Sequence, residues 1–410
     1  MSNTTLTASI VAKASLAILE NELVMANAVY RGYEGEFDKK INGYEVGDTI
    51  TIRKPTDFTV RNTITASAQD VVEAKTTIQV NKIAGVDFAF TSQQLTQNIG
   101  EISERVIRPA MIQIANQIDV DVMGLYKDVP QWVGTPGTNI STFAGFAKGP
   151  TDLDLRSVPQ DSRTAVLSPA DYWAMAGGQT ALYLQNVAGK AYRKGRIGEV
   201  GGVDTYMSQN VPTFTTGPMG GTPLVNGASQ NTTYDTTGAN TQSLITDGWT
   251  AAAAARVKKG DVFTLAGVYD VNPVTKATLA KLKQFVVTAD GSSDGSGNLT
   301  LTIAPQIITS GAFQTVSAAP ADNAALTFVG TANTGYINNL MFHKNAFALC
   351  TVPMVRPPGA VDCSRQSKNG LSVRVIPFYD GTNDKSTWRL DVLYGVKTID
   401  PRLAVRVSGT

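Results

Sequence analysis

The longest run of helix-like hydrophobic spacing lies between Thr91 and Asp128. Leu95, Ile99, Ile102, Val106, Met111, Ile114, Ile118, Val122 and Leu125 recur every three or four residues, the period of a helix with one buried stripe. Thr91 or Ser92 is placed to cap its start, and Pro109, which lacks an N–H, is expected to kink it. Gly124 and the Asp128-Val129-Pro130 run are expected to end it. The two segments together would span roughly 50 Å. Two readings stand open, an ordinary pair of core helices or a long helix whose polar face is wet or lies on another subunit. A second stripe, Leu16, Leu19, Leu23, Ala26 and Tyr30, predicts a helix over residues 6–31. Beyond the loop from Arg31 to Gly43, this arm could dock on its own domain or on a neighbour.

Between Gly47 and Phe90 the period falls to two, and strands are expected at Asp48 to Pro55, Val71 to Val80 and Val86 to Phe90. The polar stretch between them, Asp57 to Asp70, holds few large apolar groups, so the pattern predicts a long β-hairpin whose tip buries little. Its charges are mixed, with Arg53, Lys54, Arg61, Lys75 and Lys82 against Asp48, Asp57, Asp70, Glu73 and Asp87. Interspersed signs suit ion pairs to a copy of the same chain better than a nucleic-acid groove.

Pro130 to Pro159 is rich in glycine and proline and reads as loop. Arg163 to Leu167 is a short buried strand, and Ser168-Pro169 starts a helix running to Gly177-Gly178. Composition then shifts. Thr213 to Gly335 is rich in Thr, Ser, Gly, Asn and Ala and contains no glutamate. Strands at Val262–Leu265, Gln284–Thr288, Leu299–Ile303 and Ala325–Val329 alternate with turn clusters, predicting a small antiparallel barrel or sandwich inserted into a mixed α/β domain. Tyr234 to Thr241, with Asp235, reads as an exposed loop on it. From Asn338 the earlier character resumes in four strands ending at Val407.

Composition removes most chemistry. The 410 residues carry a net charge of +1, so no overall pull toward nucleic acid or anionic membrane exists. No run of about 18 apolar residues occurs, and the N-terminus lacks the pattern of a signal peptide. Cys350 and Cys363 are too few for a disulfide framework. The single histidine, His343, lies in an apolar run and reads as structural. Lys194 to Gly202 is glycine-rich but has the spacing of neither phosphate-binding motif. No serine elbow or clustered carboxylates are visible, so an enzyme is not expected and no cofactor or metal is implied.

Four stretches, in this order, resemble the major capsid proteins of tailed bacteriophages, the HK97-type fold, and more narrowly the P22-type coat proteins with an inserted domain. They are Leu167-Ser-Pro-Ala-Asp-Tyr172, then Ala191-Tyr-Arg-Lys-Gly-Arg-Ile197 leading through Gly202-Val-Asp204 to Val211-Pro212, then Lys258 to Val268, and Arg389 to Lys397 followed by Pro401. The resemblance implies an α+β fold with an N-terminal arm (1–38), an extended loop (39–90), a peripheral domain with a spine helix (91–159), an axial domain (160–215), an inserted β-barrel (216–335) and a resumed segment (336–410). Pro109 and a shorter acidic loop in the insertion depart from that pattern.

The implied function is self-assembly into an icosahedral shell of hexamers and pentamers around the phage genome, in the virion, after assembly in the bacterial cytoplasm. Implied partners are other copies of the chain, a separate scaffolding protein, a portal protein, a decoration protein as an optional addition, and DNA only non-specifically, with no membrane. The residues expected to meet a neighbour are Arg53, Lys54, Asp57, Arg61, Asp70, Glu73 and Lys75 of the hairpin and Leu16, Leu19 and Leu23 of the arm. The hairpin lysines Lys75 and Lys82 read as solvated rather than as crosslinking groups. The alternative is a β-rich surface or binding protein with residues 216–335 as its recognition module.

Overall fold

A computed structural model describes residues 8–33, 49–61, 63–66, 68–91, 106–180, 197–238, 240–360 and 362–410. Most of the expected loop after the arm, the first half of the expected spine helix (92–105) and the resemblance stretch at 191–196 lie outside the described residues. The chain divides into two units: Met1–Ile50, Thr77–Met123 and Phe347–Lys397 form one, and Thr51–Thr76, Gly124–Ala346 and Thr398–Thr410 the other.

In the first unit the arm is helical as the stripe predicts, but it is broken. Helix α1 (Ala8–Glu22) buries Val11, Ala12, Ser15, Leu16 and Leu19, and a separate short helix α2 spans Met25–Ala28. The cause lies in helix α3 (Arg108–Met123). Its buried Asp119 accepts hydrogen bonds from the amides of Val24 (2.8 Å) and Ala26 (2.9 Å), drawing them away from α1. The carbonyls left open at the end of α1 are met by Asn27 Nδ2, which donates to Glu20 and Leu23. Tyr30 then pairs with the Phe347–Val352 strand through Tyr30 N to Phe347 O and Leu349 N to Tyr30 O. The arm therefore docks on its own unit. Leu16, Leu19 and Leu23 are core residues and have no apolar surface left for a neighbour.

Helix α3 carries the expected stripe, with Met111, Ile114, Ile118 and Val122 buried. Thr91 ends the Lys82–Thr91 strand, and Pro109 is the second residue of α3, which directly follows a π-helical pair at Val106–Ile107. The helix start that Thr91 or Ser92 is expected to cap falls at residues 92–105, outside the described residues. After Met123 the chain tightens into 3₁₀ turns over Gly124–Asp128, as the glycine and the following proline require. The sheet of this unit is built on the 14-residue Lys385–Thr398 strand. It pairs with Leu371–Asp380 on one side and with Lys82–Thr91 on the other, Lys385 opposite Thr91 and Tyr394 opposite Lys82. Asp121 of α3 accepts from Tyr394 Oη at 2.6 Å and pairs with Lys82 at 3.1 Å.

The second unit holds a mixed six-stranded sheet in the order Trp132–Val133, Ala404–Val407, Asn339–His343, Arg163–Leu167, Val203–Met207, Glu199–Val200. Helices α4 (Phe143–Leu155) and α5 (Pro169–Thr180) contribute Phe146, Leu153, Tyr172 and Met175 to a core shared with Met341, Val405 and Val407 of the sheet. Ser168 opens α5 as expected, its hydroxyl accepting from Asp171 N and donating to Asp171 Oδ2. Helix α4 lies in what reads as loop in the sequence. Its Gly149 lets the helix pack closely on the sheet, since a Cβ there would come within 2.7 Å of Met341 Sδ.

The chain leaves this sheet along Thr213–Thr215 and returns along Gly335–Ile337, which pair antiparallel as a stem. Between them a six-stranded antiparallel sheet runs in the order Leu326–Phe328, Val262–Val271, Thr278–Val287, Leu299–Ala304, Gln242–Trp249, Gly221–Val225. A bridge from Leu224 to Ala325 nearly closes it into a barrel around Leu244, Phe263, Leu265, Phe285, Leu301 and Ile303. The four expected strands are present. The Gly221–Val225 and Gln242–Trp249 strands are additional.

The arm's docking has a direct test. Replacing Asp119 with alanine strips the buried amide of Ala26 and the part-buried amide of Val24 of their acceptor, at about 1–3 kcal/mol for a fully buried unsatisfied group. The urea midpoint of the subunit is expected to fall, and exchange at the Val24 and Ala26 amides to rise far more than in the Asn339–His343 strand. Unchanged protection at those two amides would refute the docking.

Candidate assembly surfaces

The extended hairpin is short of core but not of internal bonds. Thr49–Arg53 pairs with Lys75–Gln79, and the Lys54 amide donates to Ala74 O at 2.8 Å. Farther out, Gln69 reaches across the hairpin, its Oε1 accepting from Thr59 N at 2.9 Å and its Nε2 donating to Thr59 O at 2.6 Å. The charged residues expected to meet a neighbour are largely engaged within the chain. Arg53 pairs with Glu73 at 3.3 Å, Asp57 with Arg402 at 3.3 Å, and Arg61 donates to the carbonyls of Thr63 and Ile64. Asp70 and Lys75 are exposed. What the tip presents instead is apolar. Phe58 is 53% exposed, Val71 67%, Val60 89% and Ile64 fully.

The second candidate surface is the barrel, and most of its polar groups turn inward to hold it. Arg406, fully buried on the last strand, donates to Gly260 O at 2.9 Å in the turn that begins the barrel's long hairpin. Its guanidinium lies over the rings of Tyr126 and Trp132, 5.2 and 5.5 Å from their centroids. Burial lowers the Arg406 pKa to about 10, against the pull of Tyr126, Asp261 and Asp128, so it stays charged at neutral pH. Gln284 exchanges two hydrogen bonds with the backbone of Trp132, at 2.7 and 2.9 Å. Asp152 of α4 sits between Arg156 and Lys281, and Asp270 between Lys281 and Lys283. Burial would raise the Asp152 carboxyl, but the charges of Arg156 and Lys281 outweigh it and hold it below the usual carboxylate range.

The Tyr234–Thr241 loop is less exposed than the sequence suggests. Tyr234 stacks on Phe313 with ring centroids 3.8 Å apart, and Asp235 accepts from the amide and hydroxyl of Thr237. The loop also meets the hairpin base, where Lys75 N donates to Thr236 O at 3.3 Å. Arg402, Arg406, Asp152 and Lys281 escaped the sequence reading. Arg406 alone left a local signal, a lone charge in the apolar run Leu403-Ala-Val-Arg-Val407.

Among the described residues no three His, Cys, Asp or Glu side chains are grouped to hold a metal ion. His343 is buried on its strand, where burial lowers its pKa despite Asp161 at 3.9 Å. The description that matches this chain is "P22 coat protein - gene protein 5", over residues 1–409. The chain belongs to the P22 coat protein family. It is thus a structural shell protein of a phage and not an enzyme. A major capsid protein of Acyrthosiphon pisum secondary endosymbiont phage 1 is 23% identical over 391 residues, covering 88% of this chain and 89% of that one. A solved structure from Mycobacterium phage Che8 covers 94% of this coat protein and 90% of its own chain at 14% identity and a TM-score of 0.49. The CUS-3 coat protein I-domain matches over its full length at 23% identity, covering 28% of this chain with a TM-score of 0.20.

The barrel's anchoring makes a prediction. Asp152→Ala leaves Arg156 and Lys281 without their shared carboxylate, and breaking a buried pair from one side costs about 3–5 kcal/mol. Denaturant unfolding of the subunit should show a loss of that order. Because the folded pKa of Asp152 is depressed, its contribution is complete above the unfolded carboxyl value and is lost as pH falls through the lower folded one. A loss below about 1 kcal/mol, the range of an exposed pair, would contradict the reading of this site as a buried anchor.

Proposed function

We propose that copies of this coat protein tile an icosahedral shell as hexamers and pentamers, each hairpin tip lying on a neighbouring copy and gripping it through apolar contact. The observation that carries this reading is the set of exposed side chains at the tip, Phe58, Val60, Ile64 and Val71. Magnitudes decide against an ionic grip. Full burial of one such side chain is worth about 1.5–3 kcal/mol, whereas an exposed ion pair contributes about 0–1 kcal/mol. The hairpin's arginines are moreover already bonded within the chain. Among its charges, Asp70 is the best placed to add a polar contact at the rim of such an interface.

Heterologous contacts of this kind propagate without fixing where the surface closes. A separate scaffolding protein that sets size, a portal protein at one vertex and a decoration protein on the outside are the partners this reading takes. A net charge of +1 leaves contact with the packaged genome non-specific. Assembly would take place in the host cytoplasm. The reading as a surface-binding protein is not favoured, since the family match spans the barrel and the rest of the chain alike.

Two variants separate the apolar from the ionic grip. Val60→Asp with Ile64→Asp should leave the subunit's thermal melt unchanged, because both side chains are solvated there, and should reduce shell yield severely. Lys54→Glu with Arg61→Glu should reduce it less. Normal shells from the aspartate variant, with assembly lost in the charge reversal, would overturn the apolar reading.

A further inference from the structure

The hairpin base meets the rest of its unit at two places, and they differ in kind. On the return leg Lys75 N donates to Thr236 O at 3.3 Å, with Gly238 packed so closely that a Cβ there would clash with Lys75 O. On the outgoing leg Asp57 meets Arg402. Arg402 does not need Asp57 to be ordered. Its Nε and Nη2 already grip Asp400 at 2.8–3.1 Å, its amide donates to Asp400 Oδ1, and its carbonyl accepts from Arg156 Nη1 at 2.8 Å. Only Nη1 is turned toward Asp57, at 3.3 Å. The rotamer entropy of the arginine is therefore already lost, and the contact with Asp57 can form or break with little else changing.

The surroundings suit movement. A cleft of about 80 Å³ lies between the hairpin base, the barrel and the 400–402 turn, lined in part by Lys54, Asp57, Tyr234, Lys276 and Phe313. The hairpin itself is cross-tied at Lys54–Ala74 and at Thr59–Gln69, so displacement at the base carries the tip with it. The side chains of the Asp57–Arg402 pair are 32% and 45% exposed, and an ion pair so exposed adds little to stability and is screened by salt. Holding the fold together is thus not its main effect.

We propose that Arg402 is a releasable latch, which through Asp57 sets the angle at which the extended hairpin leaves its own subunit to reach a neighbour. The proposal rests on the hairpin being an assembly element. Opening the latch would let the hairpin swing on its base and strain the single Lys75–Thr236 bond on the return leg, so that one subunit serves positions of different curvature.

The test uses the full-length, unassembled subunit and Asp57→Asn, which leaves the Arg402–Asp400 pair intact. In the parent protein, raising salt from about 0.05 to about 0.5 M should speed hydrogen exchange at the Lys75 amide by about two- to fivefold, the factor an exposed pair is worth. In Asp57→Asn that exchange should be fast at both salt concentrations, while the Lys54 amide and the thermal midpoint stay unchanged. Shells grown from the variant should show more than one diameter where the parent gives one. Lys75 exchange indifferent to both salt and substitution would overturn the latch, and so would altered exchange with shells of a single diameter. If the parent forms no shells, the shell reading fails, and the exchange measurement still decides whether the latch exists.

Discussion

A guanidinium withdrawn completely from water, that of Arg406, constrains how the larger unit is built. An ion in that position is tolerated only where its desolvation is offset, a cost of several kcal/mol. The offset comes from the Gly260 carbonyl and from the faces of Tyr126 and Trp132, three groups that belong to three separate stretches of chain. The final strand, the 3₁₀ turns after α3 and the barrel's Lys258–Asp261 turn must therefore come together in one arrangement. The Gln284–Trp132 bonds and the Asp152–Lys281 pair repeat the constraint on other sides of the barrel. Inserted as it is, the barrel is not a loosely tethered addition. Its fixed position in turn gives Thr236 a defined place from which to hold the hairpin base.

The same unit divides its interactions by strength. Buried ionic and aromatic contacts hold the barrel, a few half-exposed polar contacts hold the hairpin base, and the apolar side chains of the tip are exposed. That gradient suits a subunit that folds first and associates afterwards. Contacts that decide the fold are costly to break from one side, whereas those that aim the hairpin can be exchanged. Association through many modest contacts also permits a misplaced subunit to leave before a shell closes.

Periodic signals in the sequence translated well. The α3 stripe, the Arg163–Leu167 strand, the Ser168 helix start and the turn-punctuated strands of the barrel were all legible, because each is set by residues a few positions apart. What escaped depends on distant partners. The arm breaks at Leu23–Val24 because of a carboxylate 95 residues away from Val24, and Asp57 meets Arg402 across 345 residues. Helix α4 hid behind Gly145, Gly149 and Pro150, residues that weaken a helix in isolation, although Gly149 is what allows the close approach to Met341. The hairpin tip was read through its charges because they are numerous. The few apolar residues carry the proposed contact because all four are exposed.

The central claim is that the hairpin tip of one copy becomes buried on another. Electron cryomicroscopy of the assembled shell, at a resolution that places side chains, tests it most directly. Val60 and Ile64 are expected to pack against apolar side chains of an adjacent copy, with Asp70 at the edge of the contact. A closed shell in which both residues project into solvent, or in which the tip folds back onto its own subunit, would contradict it.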